Sequence, residues 1–158
     1  MGSMWMYLIG ALVVLGVAVL WRKMNAARRV AERRRAILEF DQRRNDLATR
    51  FLHAAAATGK PRGLRWTSVE LAGRPLFAAD AADRELVALI GATISFEAVE
   101  GGGMEDVEAV GNLRSATAVF VFRDGEWTTD GRVIFNLEPA EALERFQSAL
   151  RPVAAVDD

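Results

Sequence analysis

"VFVFRDGEWTTDGRVIF", residues 119–135, is the clearest structural signal in the chain. Apolar and polar residues alternate on both sides of Asp124-Gly125, a dipeptide favoured in the two-residue turns that join antiparallel strands. With that turn at the centre, Arg123 stands opposite Glu126, Phe122 opposite Trp127, Phe120 opposite Thr129 and Ala118 opposite Gly131. The register gathers a mostly apolar face on one side and pairs opposite charges on the other.

The same alternation continues upstream. From Leu86 to Ala98 every second residue is apolar (Leu86, Ala88, Ile90, Ala92, Ile94, Phe96, Ala98), which predicts a long strand with one buried face and a bend or bulge at Gly91. "LRWTSVEL", 64–71, is an earlier strand, and "GRPLFAA", 73–79, reads as a short return from a turn at Gly73 to Pro75. Downstream, Pro139 suits the first position of a helix, whose apolar stripe is Ala142, Leu143, Phe146, Ala149 and Leu150. The expected fold class is α+β: four or five antiparallel strands and a C-terminal helix, with helices on one face. A helix followed by a meander resembles cystatin-type folds in architecture, a likeness that implies no function.

Residues 22–58 contain no Pro or Gly and are rich in Ala, Arg, Glu and Leu, which predicts a long helix. Ala26, Val30, Arg33, Ile37, Phe40, Arg44, Leu47, Phe51 and Ala54 recur at alternating spacings of four and three, a heptad seam apolar at seven of nine positions. The seam allows self-association through 26–54. It also allows Leu47, Phe51 and Leu52 to pack on the body, with a break at Asn45-Asp46. Gly59 and Pro61 end the helix.

Ahead of this neck, Met4 to Trp21 form eighteen residues without a charge. As a helix they reach about 27 Å, close to the hydrocarbon thickness of a bilayer. Trp5, Tyr7 and Trp21 fall where aromatic rings favour the headgroup boundary. Positive charges follow the apolar run rather than precede it, which argues for a retained anchor over a cleaved signal. Arg22, Lys23, Arg28, Arg29, Arg33, Arg34 and Arg35 predict an N-terminus outside and a body in the cytoplasm of a bacterial inner membrane. The same side chains can lie on anionic lipid headgroups. A Met-Gly start with Met6 at the sixth position lacks the Ser or Thr of a myristoylation signal. The expected segments are therefore a transmembrane anchor (1–21), a basic juxtamembrane helix (22–58) and a small α+β domain (59–158).

A net charge of −1 hides a split. Residues 22–50 carry ten basic against four acidic side chains, a net of +6, and residues 51–158 ten against seventeen, a net of −7. An acidic body disfavours nucleic acid, and the basic neck adjoins a nearer anionic surface, the membrane. The absence of cysteine excludes disulfides, thiol catalysis and Cys-ligated metals.

No stretch carries a catalytic, metal or cofactor motif. His53, the one histidine, sits on the neck helix without a second ligand nearby. "ATGKPRG" has a Gly-Lys pair, but Ala54 stands where a phosphate loop needs glycine, and Pro61 where it needs Ser or Thr. "EAVEGGGMEDVE" gathers Glu97, Glu100, Glu105, Asp106 and Glu108 with no basic residue among them. It reads as an exposed acidic loop made flexible by three glycines, or as a docking surface for a partner. These features point to a single-pass, membrane-anchored accessory or docking protein that is not an enzyme and binds lipids and a protein partner. The alternative is an anchored small-ligand sensor with a pocket lined by Trp66, Phe96, Phe120 and Trp127.

Overall fold

The computed structural model describes residues 2–58, 61–104, 106–107 and 113–153. The fold is α+β: a long N-terminal helix α1 (Gly2–Gln42), a second helix α2 (Arg44–Ala57), a six-stranded antiparallel sheet and a short helix α3 (Pro139–Arg145). The strands are β1 (Leu64–Asp80), β2 (Leu86–Ala98), β3 (Arg114–Arg123), β4 (Glu126–Thr128), β5 (Val133–Phe135) and β6 (Leu150–Val153). Their spatial order is β4-β3-β2-β1-β6, with β5 also on β3.

The chain divides into two compact units, Met1–Arg35 and Ala36–Asp158. The boundary falls inside the predicted neck rather than at residue 59, because the last turns of α1 belong to the body's core. Within the first unit, Leu12, Val13, Val14, Leu15, Val17, Leu20 and Trp21 are all exposed, so α1 is apolar on every side there. Among the described residues no helix is long and apolar enough to cross a membrane. The predicted span Met4–Trp21 lies partly outside the residues whose side chains are described.

In the second unit, Ala36, Phe40, Leu47, Phe51 and Ala55 are buried at 0–1 % exposure. Their helical spacing forms one stripe that lies on the sheet. Phe40 meets Phe77, Phe120 and Trp127 edge-on at centroid distances of 5.8, 5.5 and 4.9 Å. Phe51 meets Trp66 and Phe120 at 6.3 and 5.7 Å. The indole N–H of Trp127 donates to the carbonyl of Ala36 at 2.9 Å, which satisfies a polar group that burial would otherwise penalise. The heptad seam from Phe40 onward is thus spent on the chain's own core.

The helix break comes at Arg43, two residues before the expected site. Its amide is shared between the carbonyls of Glu39 and Phe40, at 3.1 and 3.2 Å. Asp46 lies in the first turn of α2, where a carboxylate complements the positive helix end, and pairs with Arg50 at 3.0 Å. At the other end the Thr58 hydroxyl donates to the carbonyl of Ala55 at 2.7 Å. Gly59, predicted to end the helix, lies outside the described residues.

Strand β2 has the predicted limits, Leu86–Ala98. Its first five residues are buried on both faces, because α3 covers the side opposite to α1 and α2. There Ala142 packs with Val87, Leu89 and Val119. Helices therefore flank the sheet on two faces, not one. The expected return at Gly73 does not occur: β1 is a single strand that pairs with β2 from Leu64 to Ala79, with register shifts between Trp66 and Ser68 and between Ala72 and Leu76. Gly73 with φ +78° and the N–H-less Pro75 fall within the second shift, where a strand absorbs extra residues. Gly91 lies opposite this bulge, with room for only a tight Cβ, 3.1 Å from the carbonyl of Ala72.

The hairpin forms at Asp124-Gly125, both with positive φ, and pairs Arg123 with Glu126 and Phe122 with Trp127 as predicted. Beyond Thr128 the register shifts by two: Ala118 faces Val133 instead of Gly131. Thr129 donates its hydroxyl to the carbonyl of Val119 at 2.9 Å, and Gly131 turns the chain at φ +77° against the backbone of Ala54 and Ala55. The C-terminal helix is shorter than expected. It starts at Pro139 with a Glu138–Glu141 capping box, ends at Arg145, and leaves Leu150 in β6, paired with Asp80 of β1.

Candidate functional site

The seven basic residues Arg22, Lys23, Arg28, Arg29, Arg33, Arg34 and Arg35 occupy consecutive turns of α1 in the first unit. All but Arg33 are exposed, and Arg33 is half-buried. The interleaved Ala26 and Ala27 favour helix, so the charges ride on a regular scaffold.

Of the acidic set, Glu97, Glu100 and Asp106 are among the described residues. Glu97, at the end of β2, stands opposite Arg65 of β1 and accepts a 2.6 Å bond from it, which neutralises the charge. Glu100 and Asp106 are exposed, and Glu105 and Glu108 lie outside the described residues. The glycines here are not merely flexible. Gly101 and Gly103 hold φ of +76° and +75°, and a Cβ on Gly102 would lie 2.8 Å from the Val99 carbonyl and 2.9 Å from the Gly63 Cα. The Val99 amide donates to the Gly63 carbonyl at 2.9 Å. Two stretches of backbone therefore meet where only glycine fits.

Beside this contact, on the sheet face that α1 and α2 cover, lies a cleft of about 310 Å³ lined by Pro61, Leu64, Phe96, Met104, Val107, Arg114, Phe135 and Asn136. Of the four residues expected to line a pocket, Phe96 lines this cleft. Trp66, Phe120 and Trp127 are filled in by Phe40, Phe51 and one another. Leu64, Arg114, Phe135 and Asn136 were not singled out by sequence, since they come from separate strands and a turn. A second groove, about 440 Å³, runs between α3 and the β1–β6 edge, lined by residues including Leu76, Leu143, Leu150 and Arg151.

Among the described residues no group of three or more His, Asp and Glu could hold a metal ion, and His53 is exposed on α2. Arg123 at the end of β3 grips Glu85 through two bonds of 2.6 and 2.5 Å, and these hydrogen bonds lower the Glu85 carboxyl below its ordinary value. The same bond raises Arg123. The pair ties the approach to β2 to the end of β3, next to the hairpin turn, and borders neither cleft.

These elements define the class of the body as an α+β domain with an antiparallel sheet between helices. No family model, curated protein or solved structure matches the chain, so the likeness to cystatin-type folds rests on element order alone.

Proposed function

We propose that this protein is a single-pass, membrane-anchored accessory or docking protein, non-enzymatic, with its α+β body in the cytoplasm of a bacterial cell. The observation that carries the reading is the uncharged run Met4–Trp21, followed at once by seven basic residues on the same helix. A helix exposed and apolar on every side is costly in water and favourable in lipid. Arginines and lysine at its C-terminal flank retain that flank inside and attract anionic headgroups, each by about 1 kcal/mol near the surface.

An anchor confines the body near its membrane partners and raises their effective concentration. The body then supplies a binding surface through its exposed acids, Glu100 and Asp106 among them. Self-association has less seam to use than its sequence promised: with Phe40, Leu47 and Phe51 buried, Ala26 and Val30 are its exposed apolar positions.

Gentle detergent extraction with a C-terminal tag tests the reading. The expected result is extraction only with detergent, together with a stoichiometric protein partner that survives salt washing. Recovery of the chain from the aqueous fraction overturns the anchor, and a lone monomer overturns the accessory role. Protease added outside intact cells should leave the body whole; its digestion would reverse the orientation.

A further inference from the structure

We infer that the cleft at the open end of the sheet is a binding site for a small organic carboxylate, with the apolar body of the ligand inside and its carboxylate at Arg114 and Asn136. The inference is independent of the docking reading, and either can fail alone. Five apolar side chains, Leu64, Phe96, Met104, Val107 and Phe135, line a volume of about 310 Å³ together with Pro61. That volume falls at the lower end of small-molecule sites, roughly 300–1,000 Å³, which are apolar with a few convergent polar groups.

Arg114 and Asn136 are those groups. Arg114 opens β3 opposite Ile94, whose side chain is fully buried on the helix-covered face, so its position belongs to the cleft face of the sheet. A guanidinium has five N–H donors and accepts nothing. Its planar fork matches a carboxylate better than any neutral group. Asn136, in the left-handed region at φ +58°, follows β5 directly, and its amide donates to the Ser115 carbonyl at 3.2 Å. The turn thereby fixes the backbone from which the carboxamide projects.

The walls are built rather than incidental. Phe96 packs on Trp66 at 4.8 Å and faces Phe135 at 6.4 Å, so the aromatic floor continues the core. The rim is held where Gly63 and Gly102 meet, since a Cβ on Gly63 would lie 2.7 Å from the Gly102 carbonyl. A rim braced by backbone contacts spends less ordering entropy on binding.

The test uses the full chain in nanodiscs of zwitterionic lipid, with empty discs as the blank. 4-Phenylbutyrate and its uncharged counterpart 4-phenylbutanol serve as probes, read by saturation-transfer NMR. The carboxylate should bind above the blank and above the alcohol. Arg114→Gln should weaken it by about tenfold or more, as expected for loss of a charged hydrogen bond. Asn136→Gly keeps the left-handed backbone and removes the carboxamide, so it tests the site without endangering the fold; a several-fold loss is expected. Arg151→Gln, in the other groove, should change nothing. Equal binding of acid and alcohol, no signal above empty discs, or Arg114→Gln and Asn136→Gly that bind like the parent would each overturn the inference.

Discussion

Replacing Gly131 with alanine tests how α2 is seated on the sheet. Gly131 has φ +77°, a region that costs an L-residue about 1–2 kcal/mol. The added Cβ would also overlap the amide nitrogen of Ala55 and lie 2.5 Å from its Cα and 2.6 Å from the carbonyl carbon of Ala54. These are helix backbone atoms, which cannot rotate aside, so an overpacking cost of about 1–3 kcal/mol adds to the first. The expected total is roughly 2–5 kcal/mol. Gly73→Ala is the control: its φ is +78° and nothing lies within 4 Å of the new Cβ, so only the backbone cost applies. Urea unfolding of the full chain in nanodiscs, followed by tryptophan fluorescence and far-UV circular dichroism, should place Gly131→Ala below Gly73→Ala by roughly 1–3 kcal/mol. Equal costs would mean that the β4–β5 connection does not press on α2, and the explanation of the register shift would fall with it.

Further outcomes follow from the same contacts. Trp127→Phe removes the bond to the Ala36 carbonyl and part of a buried ring, and should cost about 1–3 kcal/mol in urea unfolding; a neutral change would show that the last turns of α1 do not depend on it. Gly102→Ala forces a Cβ to 2.8 Å from the Val99 carbonyl and should destabilise by about 1–3 kcal/mol, with enhanced amide exchange at Val99; unchanged exchange would refute the glycine–glycine contact. Glu85 has a folded pKa below its ordinary value of 4.5, so its pairing contributes stability above that value and loses it as pH falls through the folded one. Urea midpoints of Glu85→Gln should therefore fall less steeply below pH 4.5 than those of the parent, and parallel curves would refute the pairing.

Local chemistry made much of the body legible in advance. The Asp124-Gly125 turn needs only its own φ preferences, and the limits of β2 follow from an alternation that ends shortly before the three glycines 101–103. Pro139 starts α3 because its ring presets φ and its missing N–H is not needed there. The buried stripe Phe40, Leu47, Phe51 was visible as a period, and the packing of Leu47 and Phe51 on the body was one of the two uses it allowed. The site was less legible. Arg114 reads as one more surface charge until β3 pairs with β2, and Glu97 reads as part of an acidic patch until Arg65 arrives across the strand.

By itself, then, the sequence determined the uncharged N-terminal run, the charge split behind it, the helical neck and the hairpin, because each depends on residues close along the chain. Only the tertiary structure decided that β1 runs on through Gly73, that α3 covers the second face, that Leu150 joins a strand rather than a helix, and that the register shifts after Thr128. Each of these depends on a distant partner: β2 pairing across the bulge, Val87 and Leu89 needing a cover, β1 offering an edge to β6, and α2 leaving no space for a side chain at position 131. Long-range packing overrode local preference in each case, since burial and backbone pairing outweigh the few tenths of a kcal/mol by which neighbouring residues bias a helix or a turn.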